Sequence, residues 1–176
     1  PSIIDSSAGI PLLGCEDAHE IEHDHHHEAD AHIWLSPANA KIMAANICAG
    51  LRQQFPDHAD TFSRNLSALH DELDALQTYG QEQLKDLNRR DLITFHDGFS
   101  YFAHSFDLHI LEAIEEESGS EASAQELIHL IELVESHRLP AIFTECNGSV
   151  SAADIIARET GTSSFALDMA MAGDDY

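Results

Sequence analysis

Positive charge is scarce in this sequence. Eight Lys and Arg stand against 32 Asp and Glu in 176 residues, a formal net charge of -24, and none of the eight precedes Lys41. A surface that acidic repels phosphate backbones and anionic headgroups and attracts cations, which excludes nucleic-acid binding and polybasic docking to membranes. Long apolar runs are missing as well. None approaches the roughly 20 residues that cross a bilayer, so no transmembrane segment is expected. The three cysteines, Cys15, Cys48 and Cys146, are far apart and form no Cys-x-x-Cys pair, so there is no cysteine-built zinc finger. They read as isolated thiols, with Cys48 buried on a helix face, although one disulfide stays open. The chain starts at Pro1 without an initiator Met, a basic leader or a cleavage signature. It therefore reads as a piece of a longer protein.

What is present is a globular composition, 43% hydrophobic and 23% charged, with histidine in excess. Of 13 histidines, five crowd into positions 19–27 (His19, His23, His25, His26 and His27). They sit in the 15–31 stretch, which also holds seven carboxylates and almost no core-forming residues. That composition predicts a solvated loop. Imidazole and carboxylate together suit Zn2+, Ni2+ or Cu2+, so the loop is a candidate auxiliary metal site.

After the loop the pattern becomes regular. Ser36-Pro37 places a capping residue before a first-turn proline and starts a helix carrying Ile42, Met43, Ile47, Cys48, Leu51 and Phe55. Pro56 interrupts it. Phe62, Leu66, Leu69, Leu73, Leu76, Leu84 and Leu87 then make one narrow apolar stripe. It predicts a second helix of about 30 residues, ~45 Å long, the length of a strut between lobes. From Asp91 onward, short apolar strands alternate with helices. The strands are Leu92–Phe95, Leu108–Ile114, Ala141–Thr144 and Ser164–Leu167. The helices cover Phe99–Phe106, the segment opened by the Ser123/Glu126 capping box, and Ser151–Thr160, closed by Gly161. This alternation predicts a four-stranded, mainly parallel α/β sheet with flanking helices. A covering helix would be expected after the fourth strand.

Chemistry concentrates at the ends of these elements. His32 lies where the acidic loop hands over to the first helix, beside Trp34. His96, Glu145 and Asp168 fall at the carboxyl ends of three strands, where open α/β sheets place their ligands. Gly98 is expected to permit the sharp turn after the first strand. Taken singly, each residue also has a structural reading as a cap or a strand-end hydrogen-bonding group.

In combination the motifs are more specific. The order Asp30-x-His32-x-Trp34-Leu35-Ser36-Pro37, a long helix, Phe95-His96-Asp97-Gly98-Phe99-x-Tyr101-Phe102, Phe143-Thr144-Glu145 and Leu167-Asp168 resembles the zinc and manganese solute-binding lipoproteins of ABC importers. The His-rich loop points to their zinc-uptake branch. The resemblance implies two α/β lobes joined by a rigid helix, with one metal in the cleft between them. Residues 1–36 would end the N-terminal lobe, 37–88 would form the helical segment, and 89–176 would form the C-terminal lobe, cut before its last helix. It implies His32, His96 and Asp168 as metal ligands, and Glu145 and Asp97 as carboxylates that orient a ligand histidine. Zn2+ is the implied cargo, with Mn2+ second, because manganese-selective relatives tend to carry Glu where His96 stands. The implied partner is an ABC permease and the implied location extracytoplasmic, periplasmic or lipid-anchored, with no catalysis. The sequence departs from the pattern at Ala31, where Pro is common, and at Met169-Ala170, where Pro-Leu is common. The family's first ligand histidine lies upstream of Pro1, and a piece lacking most of one lobe is expected to self-associate along the long helix.

Two other readings use the same residues. One is a zinc hydrolase with His32, His96 and Asp168 on the metal and Glu145 as general base, although no His-Glu-x-x-His pair is present. The other is a metal buffer or adhesin in which only the loop matters.

Overall fold

Ser36 begins the first regular element as its sequence neighbours dictate. Its hydroxyl accepts from the Asn39 backbone N–H at 3.4 Å, and Pro37 fills the first turn of helix α1 (Pro37–Gln54). The computed structural model describes residues 3–13, 30–114, 123–146 and 150–170. The His-rich stretch 19–27, Cys15 and the acidic 115–120 segment lie outside the described residues. Two units can be distinguished, Pro1–Asp86 with His104–Phe106, and Leu87–Ala103 with Asp107–Tyr176.

The first unit is built on α1 and α2 (Ala59–Leu84), joined through a 3-10 turn at Pro56–His58. A second 3-10 turn, Ile33–Leu35, precedes α1. Lys41 pairs with Asp74 at 2.6 Å, and the His70 ring lies 3.1 Å from the Lys41 carbonyl, which ties α1 to α2. Asn46 on α1 donates to the Ser6 and Ala8 carbonyls at 3.0 and 2.9 Å, anchoring the segment before the loop. Cys48 is buried, as expected from its place on the α1 face. Helix α2 has 26 residues, about 39 Å, shorter than the apolar stripe suggests. Leu87 falls beyond its end, and no α2 residue is buried. Leu69 and Leu76 are 42% and 52% exposed. The stripe therefore marks a helix face without showing that the face is covered.

The second unit is the predicted parallel sheet. Strands β1 (Asp91–Thr94), β2 (His109–Ala113), β3 (Ala141–Glu145) and β4 (Ser163–Leu167) run in the order β2-β1-β3-β4, every pair parallel. Helices α3 (Ser100–Ser105), α4 (Ala124–His137) and α5 (Ser151–Thr160) connect the strands. The α4 capping box is present, with Ser123 Oγ accepting from Glu126 N–H and the Glu126 carboxylate accepting from Ser123 N–H. Gly161, at φ 72°, ends α5 in the left-handed conformation. Ile93 and Ile142 are fully buried beneath Leu130 and Val134 of α4 and Ala153 and Ile156 of α5. At roughly 1.5–3 kcal/mol for each large apolar side chain removed from water, this cluster is what holds the sheet in place. β4 lies at the edge and is exposed along Ser163–Ala166, with Phe165 stacked on Phe143 at 6.3 Å between ring centroids. No helix among the described residues is long and apolar enough to cross a membrane.

Candidate metal centre

The strand order places a topological switch point between β1 and β3, since the chain leaves β1 toward β2 and later crosses to β3. In open parallel sheets, ligands bind beyond the carboxyl ends of the strands at such a point. Phe95 continues the ladder by donating to the Phe143 carbonyl at 2.8 Å. His96 follows in the turn, its carbonyl accepting from Thr94 Oγ1 at 3.0 Å. Glu145 is the last residue of β3, and its Oε2 lies 3.7 Å from His96 Nδ1, both side chains being partly exposed. A carboxylate on the Nδ1 side favours the proton there and leaves the Nε2 lone pair as the donor, the arrangement that metal-binding histidines use. Asp168 directly follows β4 and is exposed. One of its oxygens accepts from the Ala170 backbone N–H at 2.8 Å, bending the chain at Ala170, φ 54°. Asp97 is exposed beside His96.

In the first unit His32 repeats the same pattern. Asp30 Oδ1 accepts from the His32 backbone N–H and faces His32 Nδ1, both at 2.8 Å. The carboxylate can only accept, so Nδ1 is the donor in this contact, and in a neutral ring the lone pair then falls on Nε2. Trp34 lies beside the ring, 5.3 Å between centroids. Both side chains of the pair are largely shielded from solvent.

Sequence reasoning singled out His32, His96, Asp168, Glu145 and Asp97. The structure brings His96 and Glu145 together, and it adds Asp30, which the Asp-x-His spacing could have signalled. It also adds Met169 and gives Gly98 a different role from the expected one. Gly98 is not in the left-handed region, which among the described glycines is adopted by Gly9 and Gly161. What excludes a side chain there is space, because a Cβ would strike the His96 ring and the Met169 methyl. The five loop histidines lie outside the described residues. Among the described residues, no three His, Cys, Asp or Glu side chains are gathered as they stand into a group that would hold a metal ion. His32 instead faces the Asp30 carboxylate and His96 the Glu145 carboxylate.

The sequence model of one protein family, described as "Zinc-uptake complex component A periplasmic", matches residues 1–176. The chain belongs to this zinc-uptake component A family. Among curated relatives it is similar to the zinc-binding lipoprotein AdcA of Streptococcus pneumoniae, 30% identical over 170 residues, covering 94% of this chain and 34% of that protein. It is also similar to the high-affinity zinc uptake system protein ZnuA of Brucella abortus, 32% identical over 118 residues, 67% of this chain and 35% of the relative. A crystal structure of ZnuA superposes with a TM-score of 0.80 at 36% identity, covering 94% of this chain and 61% of that one. The chain thus spans about a third of the length of these two curated relatives. The α/β class expected from the strand–helix alternation is the fold of the family.

Proposed function

We propose that this chain is the metal-capturing portion of an extracytoplasmic zinc-binding subunit that delivers Zn2+ to an ABC permease, and that it binds without catalysing a reaction. The observation that carries the reading is the pairing, within a family of zinc-uptake components, of two histidines with carboxylates at Nδ1: His96 with Glu145 and His32 with Asp30. Both rings are arranged to donate Nε2, and neutral imidazole is a borderline donor that suits zinc better than manganese. His32, His96 and Asp168 are the proposed ligands. Glu145 and Asp30 orient the rings, and the histidines of the 19–27 loop serve as an auxiliary, lower-affinity store.

Competition against a chromophoric chelator tests this with Zn2+ and Mn2+ in turn. Zinc should be held more tightly than manganese. His96→Ala and His32→Ala should each weaken zinc far more than His25→Ala, because a loop histidine has neighbours that can replace it. Deleting residues 16–29 should lower the amount of zinc bound while sparing the tightest site. Equal losses for His96→Ala and His25→Ala would overturn the assignment. Loss of all zinc binding on loop deletion would establish the buffer reading in its place.

A further inference from the structure

The strand that leads into His96 fixes where its backbone lies, not where its ring points. We infer that Met169 is a positioning residue for the His96 imidazole, acting with Gly98 as the wall that sets the place of the ring's Nε2 edge. The inference rests on the reading of His96 as a zinc ligand.

A Cβ placed on Gly98 would lie 2.5 Å from Met169 Cε, 2.6 Å from His96 Cδ2 and 2.9 Å from His96 Nε2. The thioether methyl and the donor edge of the imidazole therefore converge on one bare Cα. Met169 is 3% exposed, although Asp168 and Ala170 on either side of it are exposed. The bend explains this alternation. With Asp168 Oδ1 accepting from Ala170 N–H, the backbone turns Met169 inward while the carboxylate stays outside. Glu145 faces Nδ1, and Gly98, with the Met169 methyl crowding the same space, lies at the Cδ2–Nε2 edge, so the ring has a neighbour on each of two sides. A thioether suits the position because it is polarizable and conforms to an aromatic edge, and its sulfur accepts a hydrogen bond only weakly. One three-residue segment thus supplies a proposed ligand, Asp168, and the support for another, His96.

The test combines zinc affinity with a reading of the metal-free ring. Zn2+ competition titrations are run on the full chain and on His96→Ala, Met169→Ala, Met169→Leu and Gly98→Ala, with the 15N resonances of the His96 ring recorded before metal is added. Met169→Ala and Gly98→Ala should each weaken zinc about tenfold, the loss typical when the support of a ligand is removed. Met169→Leu, which keeps apolar volume, should restore near-native affinity. In metal-free Met169→Ala and Gly98→Ala the His96 ring signals should shift toward a tautomer-averaged position. If Met169→Ala fails to fold, Met169→Val carries the test, since it shortens the side chain while keeping apolar bulk, and the same loss of affinity and shift of the ring signals are expected. Native affinity and native ring signals in the folded variants, with zinc lost in His96→Ala, would overturn the inference alone. Unchanged zinc binding in His96→Ala would overturn the ligand reading, and the ring signals of the metal-free protein would still decide whether Met169 positions His96.

Discussion

His96 Nδ1 and Glu145 Oε2 lie 3.7 Å apart across the β1–β3 boundary, beyond hydrogen-bond reach but within the range of an ion pair. Strand pairing alone brings them together, since each sits at or just past the end of its strand and neighbouring strands run about 4.8 Å apart. The relationship therefore tests the metal reading directly. Glu145→Ala should weaken zinc about 10- to 100-fold, with little change in the denaturant midpoint, because the group is partly solvated. Chelator competition and urea denaturation on the same preparations separate the two effects. A drop in stability with native affinity would make Glu145 a strand cap and nothing more.

Asp30→Ala should do two things at once. It removes the acceptor for the His32 backbone N–H and the partner of its ring, so stability should fall by about 1 kcal/mol and zinc affinity by about tenfold or more. Asp30→Asn keeps an acceptor for the backbone and should recover most of the stability but less of the affinity. Identical behaviour of the two variants in zinc titration would show that the carboxylate charge has no part in orienting His32.

Acid should loosen the start of α4. Hydrogen bonds from the Ser123 backbone N–H and hydroxyl hold the Glu126 carboxyl below its ordinary range. A carboxyl held lower in the folded chain than in the unfolded one stabilises above the ordinary carboxylate range and loses that contribution as pH falls through its lowered value. Glu126→Gln should therefore flatten part of the acid limb of the stability profile. Ser123→Ala should cost about 1 kcal/mol at neutral pH, the usual loss for an N-cap. Denaturation curves from about pH 7 to about pH 3 check both, and parallel acid limbs for wild type and Glu126→Gln would refute the first.

Gly80→Ala sets two effects against each other. Alanine in a helix interior is favoured over glycine by about 1 kcal/mol. A Cβ at position 80, however, would press on the buried Phe106 ring, reaching 2.6 Å from Cζ. A rigid, buried ring yields poorly, and overpacking costs about 1–3 kcal/mol. The substitution should be destabilising by thermal denaturation while zinc affinity, read on the folded protein, stays within error. A raised melting temperature would mean that the ring moves aside freely.

The features legible in the sequence are those whose causes are local. Ser36-Pro37, the Ser123/Glu126 box and the Gly161 stop each act within a turn of helix, and each sits where it was expected. The parallel sheet was legible because apolar runs alternating with amphipathic segments leave few other arrangements. Burial along α2 was not, because periodicity shows which residues share a face and not whether anything covers it; Leu69 and Leu76 share the stripe and remain exposed. At the candidate centre, His32, His96 and Asp168 could be named from motifs, as could Glu145. The role of Gly98 could not, since a glycine reserved for close approach looks the same in sequence as one reserved for a turn. Met169 was equally hidden, because its contact with the Gly98 region joins residues distant along the chain and no spacing rule reaches that far.

The proposed donors do not ride on equally secure strands. His96 follows β1, which is hydrogen-bonded on both sides, to β2 and β3, whereas Asp168 follows β4, which among the described residues pairs with β3 alone and is solvent-exposed along most of its length. Edge strands with few buried contacts open at lower free energy than inner ones, and their amides exchange with solvent sooner. Were His96 and Asp168 to hold the ion as proposed, its release would be an ordered event: the carboxylate arm would let go as β4 opened while the imidazole stayed in place beside the inner strand, so the dissociation rate would follow the fraying of one edge rather than the strength of the tightest bond.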